Sequence, residues 1–190
     1  MARAQFSSED FLAAARALAC ERGPAAVTVG SVVQRLGAPT GSFYYRFASR
    51  DLLVGELWLV TVLAFQQGFL AAIDAGDGLR AALHTPAWVR DNPDDARLLL
   101  LHHRHDFIRG EWPQALRAGV AGQAERCEAA LARFARSTFG DQGADSVRRA
   151  RFLLVEVPLV AVRVHLERRE PPPPLVDELI RSTAQAVIGR

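Results

Sequence analysis

The sequence predicts an all-α protein, on three observations. Apolar residues recur at spacings of three and four along most of the chain, no alternating polar and β-branched run is bounded by a hairpin turn, and capping residues, glycines and prolines punctuate the chain at helix-length intervals. The 190 residues are 49% apolar and 23% charged, a globular balance that excludes a disordered or fibrous chain and suffices for one or two domains. About nine helices are expected, three short ones followed by a helical bundle.

The first helix starts at Ser7 or Ser8 as N-cap, carries Glu9 and Asp10 in its first turn and Phe11, Ala15 and Leu18 on one face, and stops at Gly23 and Pro24. Thr28 caps a second, which turns Val29, Val32, Val33 and Leu36 inward and ends at Gly37. A third runs from about Pro39 to Arg46. Ser49 caps a long fourth, with Asp51 where the helix dipole favours an acid. Its two apolar faces, Leu53, Leu57, Val60 and Ala64 on one and Trp58, Val62, Phe65 and Phe69 on the other, predict a helix sandwiched in protein, ending at Gly76 to Gly78. Further helices are expected over 79–91, over 93–106 with Pro93 just inside, and over 111–138, stopped by Gly140 and Gly143.

Residues 145–169 place Phe152, Val155, Leu159, Val162 and Leu166 on one seam and Leu153, Val157, Val160 and Val164 on another. After the Pro171 to Pro174 spacer, a helix over 175–188 repeats the period at Val176, Ile180, Thr183 and Val187. One seam can serve the core of the chain. The other, taken as Phe152, Val155, Leu159, Val162 and Leu166 with Val176, Ile180, Thr183 and Val187, is expected to meet a second copy in an isologous four-helix contact, the alternative being that both seams pack within one subunit. Pro158 removes one helical hydrogen bond and should kink its helix near Val155.

All 23 basic side chains are arginine, and the net charge of +2 is unevenly spread: residues 1–50 hold six arginines and three acids, while residues 51–190 hold 17 and 18. A basic N-terminal module on a near-neutral body hints at a polyanionic partner. Cys20 and Cys127 show no CxxC or CxxH spacing, which predicts neither a disulfide framework nor a cysteine zinc site and fits a reducing cytoplasm. The polar, acidic start of the chain predicts no secretion, and the apolar run Phe152 to Leu166, interrupted by Glu156, Pro158 and Arg163, is short of the roughly 20 residues a bilayer requires, so no membrane partner is expected.

The second and third helices, joined by Leu36-Gly37-Ala38-Pro39, have helix-turn-helix proportions, in which the second member lies in the major groove of DNA. The third reads Pro39-Thr40-Gly41-Ser42-Phe43-Tyr44-Tyr45-Arg46-Phe47. Phe43 and Phe47 can face inward while Thr40, Ser42, Tyr44, Tyr45 and Arg46 project outward, a set suited to grooves and phosphates, and Gly41 allows close backbone approach. From Phe11-Leu12-Ala13-Ala14-Ala15 through Gly23, Thr28-Val29, Leu36-Gly37, Thr40 to Phe47 and Ser49-Arg50-Asp51-Leu52-Leu53, the chain resembles the tetracycline-repressor-like (TetR) family of bacterial transcription regulators.

That resemblance, which covers about residues 7–57, implies a helix-turn-helix DNA-binding domain over residues 1–50 and a ligand-binding and dimerisation domain over 51–190. It implies a cytoplasmic homodimer that binds a double-stranded operator, most simply as a repressor, and is released by a small-molecule effector. By the same resemblance Thr28 caps its helix and touches a phosphate, Thr40, Gly41, Ser42 and Tyr45 face the groove, Tyr44 contacts phosphate, Arg46 contacts base or backbone, and Arg50 grips phosphate at the start of the fourth helix. Pro39 stands where the family usually has a Ser or Thr cap, and Val29-Gly30-Ser31-Val32 replaces the usual isoleucine-alanine.

For the effector, an apolar pocket with a few polar groups is expected, its candidates being Trp58, Phe65, Trp88, Leu101, His105, Phe107, Trp112, Phe134 and Glu156. Glu156, a carboxylate between two apolar seams, must find a ligand or a partner such as Arg163. His102, His103, His105 and Asp106 carry metal-ligand chemistry, but too few share a helix face for a closed site, so neither metal nor cofactor is expected. Catalytic motifs such as GxSxG, HExxH or a phosphate loop are missing, which argues against an enzyme. The rival readings are an architectural DNA binder that senses no ligand and, more remotely, a bundle enzyme assembled from His102, His105 and Glu156.

Overall fold

The computed structural model describes residues 6–108 and 110–188, and every regular element among them is helical. In chain order the helices are α1 (Ser8–Arg22), α2 (Val29–Leu36), α3 (Thr40–Arg46), α4 (Arg50–Asp74), α5 (Gly78–Asp91), α6 (Pro93–Leu100), α7 (Arg104–Phe107), α8 (Gln114–Phe139), α9 (Ala144–Arg151), α10 (Val157–Arg168) and α11 (Pro174–Ile188). A 3-10 turn, Pro24–Ala26, lies between α1 and α2, and a π-helical turn, Phe152–Glu156, joins α9 to α10. Two compact units result: the described residues up to Val62 with His102–Val120, and Leu63–Leu101 with the described residues from Ala121 onward. Both units are discontinuous in sequence, because α4 and α8 each give one end to each.

In the first unit the caps follow from residue chemistry. Ser7 Oγ accepts from the Asp10 amide at 3.1 Å while the Asp10 carboxylate accepts from the Ser7 amide at 2.7 Å, a reciprocal box that starts α1. Thr28 and Ser31 repeat it for α2 at 2.9 and 3.0 Å, so the serine that departs from the family pattern completes a cap. Gly37, in the left-handed region at φ +63°, closes α2. Pro39 supplies no side-chain cap, and α3 begins one residue later, at Thr40. Beneath α1 and α3 the rings of Phe11, Phe43 and Phe47 meet edge-on or tilted, with Phe11 and Phe43 5.7 Å apart and both fully buried.

The start of α4 packs on the start of α8 through a close approach at Gly55, where an added Cβ would lie 2.6 Å from Leu116. By length and composition alone α4 could cross a bilayer. Its Leu53, Val54, Leu57, Trp58, Val62, Phe69, Ala72 and Ile73 are instead buried in protein, but Val60 and Ala64, expected on a buried face, are exposed, so α4 is covered over only part of its second face.

The second unit closes around Phe69, Trp88, Leu131, Phe134, Leu153, Leu154, Val162, Leu166 and Ile180. Arg90 clamps the proline spacer, donating to the Pro172 carbonyl at 2.9 Å and pairing with Asp177. The kink expected at Pro158 takes the form of the π turn, in which the Val157 amide bonds to the Phe152 carbonyl five residues back. The extra residue in that turn rotates everything after it, and this corrects the proposed dimer seam. Val162 and Leu166, with Val176 and Ile180 of α11, belong to the core of the single chain, so they do not face a second copy. Phe152 is exposed, and Val155, Leu159, Thr183 and Val187 are half-buried. On α10 and α11 the exposed large apolar side chains are Val160, Val164, Leu175, Leu179 and Ile188.

The helix expected over 93–106 is also shorter than its pattern suggested. It ends at Leu100, and His102 and His103 lie outside any helix, so His102 shares no helix face with His105 and Asp106.

Candidate functional site

The α3 surface is set by its two phenylalanines. With Phe43 and Phe47 buried four residues apart, the remaining positions must face out. Thr40, Gly41, Tyr44, Tyr45 and Arg46 are exposed and Ser42 is half-exposed. Tyr45 is 79% exposed and Tyr44 57%, and the Arg46 guanidinium lies over the Tyr45 ring, 5.3 Å from its centre. A Cβ at Gly41 would meet open space. The face thus offers hydroxyls, a cation and two largely exposed tyrosine rings, that of Tyr44 packed edge-on against Phe43 at 5.3 Å. Thr28, the N-cap of α2, is also exposed, its Oγ1 already accepting from the Ser31 amide.

Arg50 differs from what the family pattern implies. Its guanidinium donates to the carbonyls of Val27 (2.8 Å), Phe107 (2.6 Å) and Pro24 (2.8 Å) and to the Asp51 carboxylate (2.9 Å). A side chain so engaged ties the 3-10 turn and the end of α7 to the start of α4, and little of it is left for a phosphate.

The candidate effector residues divide between the two units. In the first unit the Trp58 and Trp112 rings pack edge to face at 5.1 Å, and Arg104 lies over Trp112. Phe107 is plain core, whereas His105 is exposed and stacks on His103 at 5.4 Å, which corrects its assignment to a pocket wall. In the second unit Trp88 and Phe134 are core, with Phe65 and Leu101 packed against them. Glu156 lines an open groove of about 560 Å³ with Phe139, Asp145, Arg148, Arg149 and Phe152. Arg163, its suggested partner, pairs with Glu167 instead at 3.1 Å. Among the described residues no group of three or more His, Cys, Asp or Glu side chains is placed to hold a metal ion.

Two features of the second unit went unforeseen. Gln66 of α4 and Gln123 of α8, both buried, share a hydrogen bond of 2.7 Å from Gln66 Nε2 to Gln123 Oε1. A polar residue on an otherwise apolar stripe, three before Phe69, was the signal that could have found it. His84 donates from Nε2 to the Phe65 carbonyl at 2.6 Å and touches the Phe65 and Phe69 rings.

Burial holds the His84 imidazole below its ordinary pKa of 6.5, opposed by its bond to Phe65 and reinforced by Arg80. Its folded value is therefore below the unfolded one, so the contribution of neutral His84 is complete above pH 6.5 and is lost as pH falls through the folded value. Thermal melts at pH 7.5 and 5.5 are expected to show a larger acid loss for the native chain than for His84→Gln, which keeps a donor without titrating. Equal losses would refute that assignment.

Residues 11–57 match the sequence profile of the bacterial regulatory proteins of the tetR family. No curated protein matches the chain by sequence. Among solved structures, a transcriptional regulator of the TerR/AcrR family from Aquifex aeolicus superposes with a TM-score of 0.66 at 17% identity, over 95% of this chain and 98% of that one. The Bacillus subtilis regulator FadR, solved with stearoyl-CoA, gives 0.65 at 13% identity, over 96% and 98%. SmeT, the repressor of a Stenotrophomonas maltophilia multidrug efflux pump, gives 0.62 at 20% identity, over 96% and 91%. The chain therefore has the fold of TetR-type transcriptional regulators and, over residues 11–57, the sequence of that family's N-terminal segment.

Proposed function

We propose that the protein is a DNA-binding transcriptional repressor that acts in the cytoplasm, binds a pseudo-palindromic operator as a homodimer, and is released by a small, largely apolar effector. The observation that carries this is the α3 surface: Tyr44, Tyr45, Thr40 and Arg46 are held outward on a seven-residue helix whose other face is locked by Phe43 and Phe47. Residues 1–50 are the DNA-contacting head in this reading, with Thr28, Gly41 and Ser42 completing the contact. The exposed Val160 and Val164 of α10 and Leu175 and Leu179 of α11 support a face for the second copy, with Phe152 at the π turn. Two heads on a twofold axis would meet major grooves about 34 to 36 Å apart, hence a palindromic site. An effector relieves repression only by preferring the dimer state that misses this spacing. SmeT is described as a repressor and FadR was solved with an acyl-CoA, which are precedents on this fold for both halves of the reading.

The test is enrichment of a genomic fragment library at low salt, where phosphate contacts are strongest. The native chain is expected to enrich one palindromic site, and a Tyr44→Ala, Arg46→Ala double variant to lose it. No enrichment above the variant would end the regulator reading.

A further inference from the structure

We propose that the Gln66–Gln123 pair is the polar contact of the effector site, and that the effector is an uncharged, largely apolar molecule presenting an N–H or O–H group to Gln66 Oε1. This inference rests on the ligand-responsive reading above and names the chemistry of its ligand. Gln66 is 8% exposed and Gln123 9%, and both stand on helix stripes that continue into the core, Gln66 toward Phe69 and Leu70, Gln123 toward Cys127, Ala130 and Leu131. Their shared bond uses Gln66 Nε2 and leaves Gln66 Oε1 as a buried acceptor without a partner. Buried acceptors are nearly always satisfied, so this one calls for a donor that the chain itself does not supply.

Among the described residues, Arg97 Nε is the other such atom, but Arg97 already donates through Nη1 to the Leu166 carbonyl and has a structural use. Two other buried hydroxyls close on the chain: Thr61 donates to Leu57 and Ser146 to Asp141. The neighbourhood also selects against charge. Phe65, next to Gln66 in α4, meets Trp88 at 5.1 Å, and the buried polar side chains of the described residues are Thr, Gln and Ser only. An ionised ligand would find no buried charged side chain among the described residues, while an uncharged donor would find a single acceptor.

Indole and 1-methylindole test this, since methylation removes the donor hydrogen. Calorimetry on the native full chain is expected to give saturable indole binding, at least about tenfold tighter than 1-methylindole. Gln66→Met is expected to erase that preference while leaving ligand-free operator binding intact. Gln66→Asn, which withdraws the carbonyl by one methylene, is expected to weaken the preference in the same direction and serves if the Met variant does not fold. No saturable indole binding, equal binding of the two probes, a preference that survives Gln66→Met, or indole-soaked crystals with only a water at Gln66 Oε1 would overturn the proposal. A chain that binds its operator without this preference fails the effector chemistry alone; a chain that enriches no operator fails the regulator reading.

Discussion

Phe43→Ala is expected to unfold the N-terminal three-helix head, while Tyr44→Ala, one residue away, is expected to leave the melting curve in place and remove operator binding. Phe43 is fully buried and its ring meets Phe11 at 5.7 Å and Phe47 at 5.8 Å. Truncating such a side chain removes its transfer energy and leaves a cavity, a cost of about 3–5 kcal/mol. That is a large share of the ~5–15 kcal/mol that stabilises a typical domain. Tyr44 is 57% exposed, and surface truncations of that kind usually stay within about 0.5 kcal/mol. Circular dichroism melts read the first effect and a fluorescence titration of operator DNA the second. If Tyr44→Ala lowered the melt as far as Phe43→Ala, Tyr44 would be core and the DNA face of α3 would be misassigned.

Arg50→Ala is expected to behave like a core truncation although the residue is a half-buried arginine at a helix start. Three backbone carbonyls, those of Pro24, Val27 and Phe107, lose their donor at once. Bonds from a charged donor to partly buried carbonyls suggest a combined loss of about 3 kcal/mol. For a chain of this length the melt should fall by roughly 10 °C. Arg50→Lys should recover little of it, because an ammonium cannot reproduce the fork that reaches three carbonyls. A phosphate-gripping arginine behaves differently: its loss leaves the melt unchanged and lowers the salt dependence of operator binding by about one phosphate contact. Measuring both quantities on the same variant separates the two roles, and an unchanged melt would refute the structural one.

The head was legible because its rules are local. Ser7 with Asp10 and Thr28 with Gly37 announce helix ends within a few residues, and the spacing of Phe43 and Phe47 assigns the faces of α3 without reference to anything distant. Ser31 shows the limit even there: it is the second half of the α2 capping box, which Thr28 alone does not announce. The histidine segment misled for the opposite reason. Its apolar period runs on past Leu100, yet the helix stops there, and His103 becomes the start of the short α7, its amide bonded to Asp106 at 2.7 Å.

The sequence by itself determined the all-helical class, the first four helices in order and the inward and outward faces of α3, since capping and periodicity act within a few turns. Tertiary structure decided what depends on partners distant in the chain. Arg50 became a staple because the Phe107 carbonyl, 57 residues on, lies within its reach. The seam through Phe152 and Val162 broke because the π turn beside Pro158 adds one residue to the helical count, turning Val162 and Leu166 into the core and leaving Val160 and Val164 outside. Gln66 acquired its meaning only when α8 brought Gln123 opposite it, satisfying the amide nitrogen and leaving the oxygen without a partner. A side chain's type is written in the sequence; which of its hydrogen bonds are already made is set by the packing.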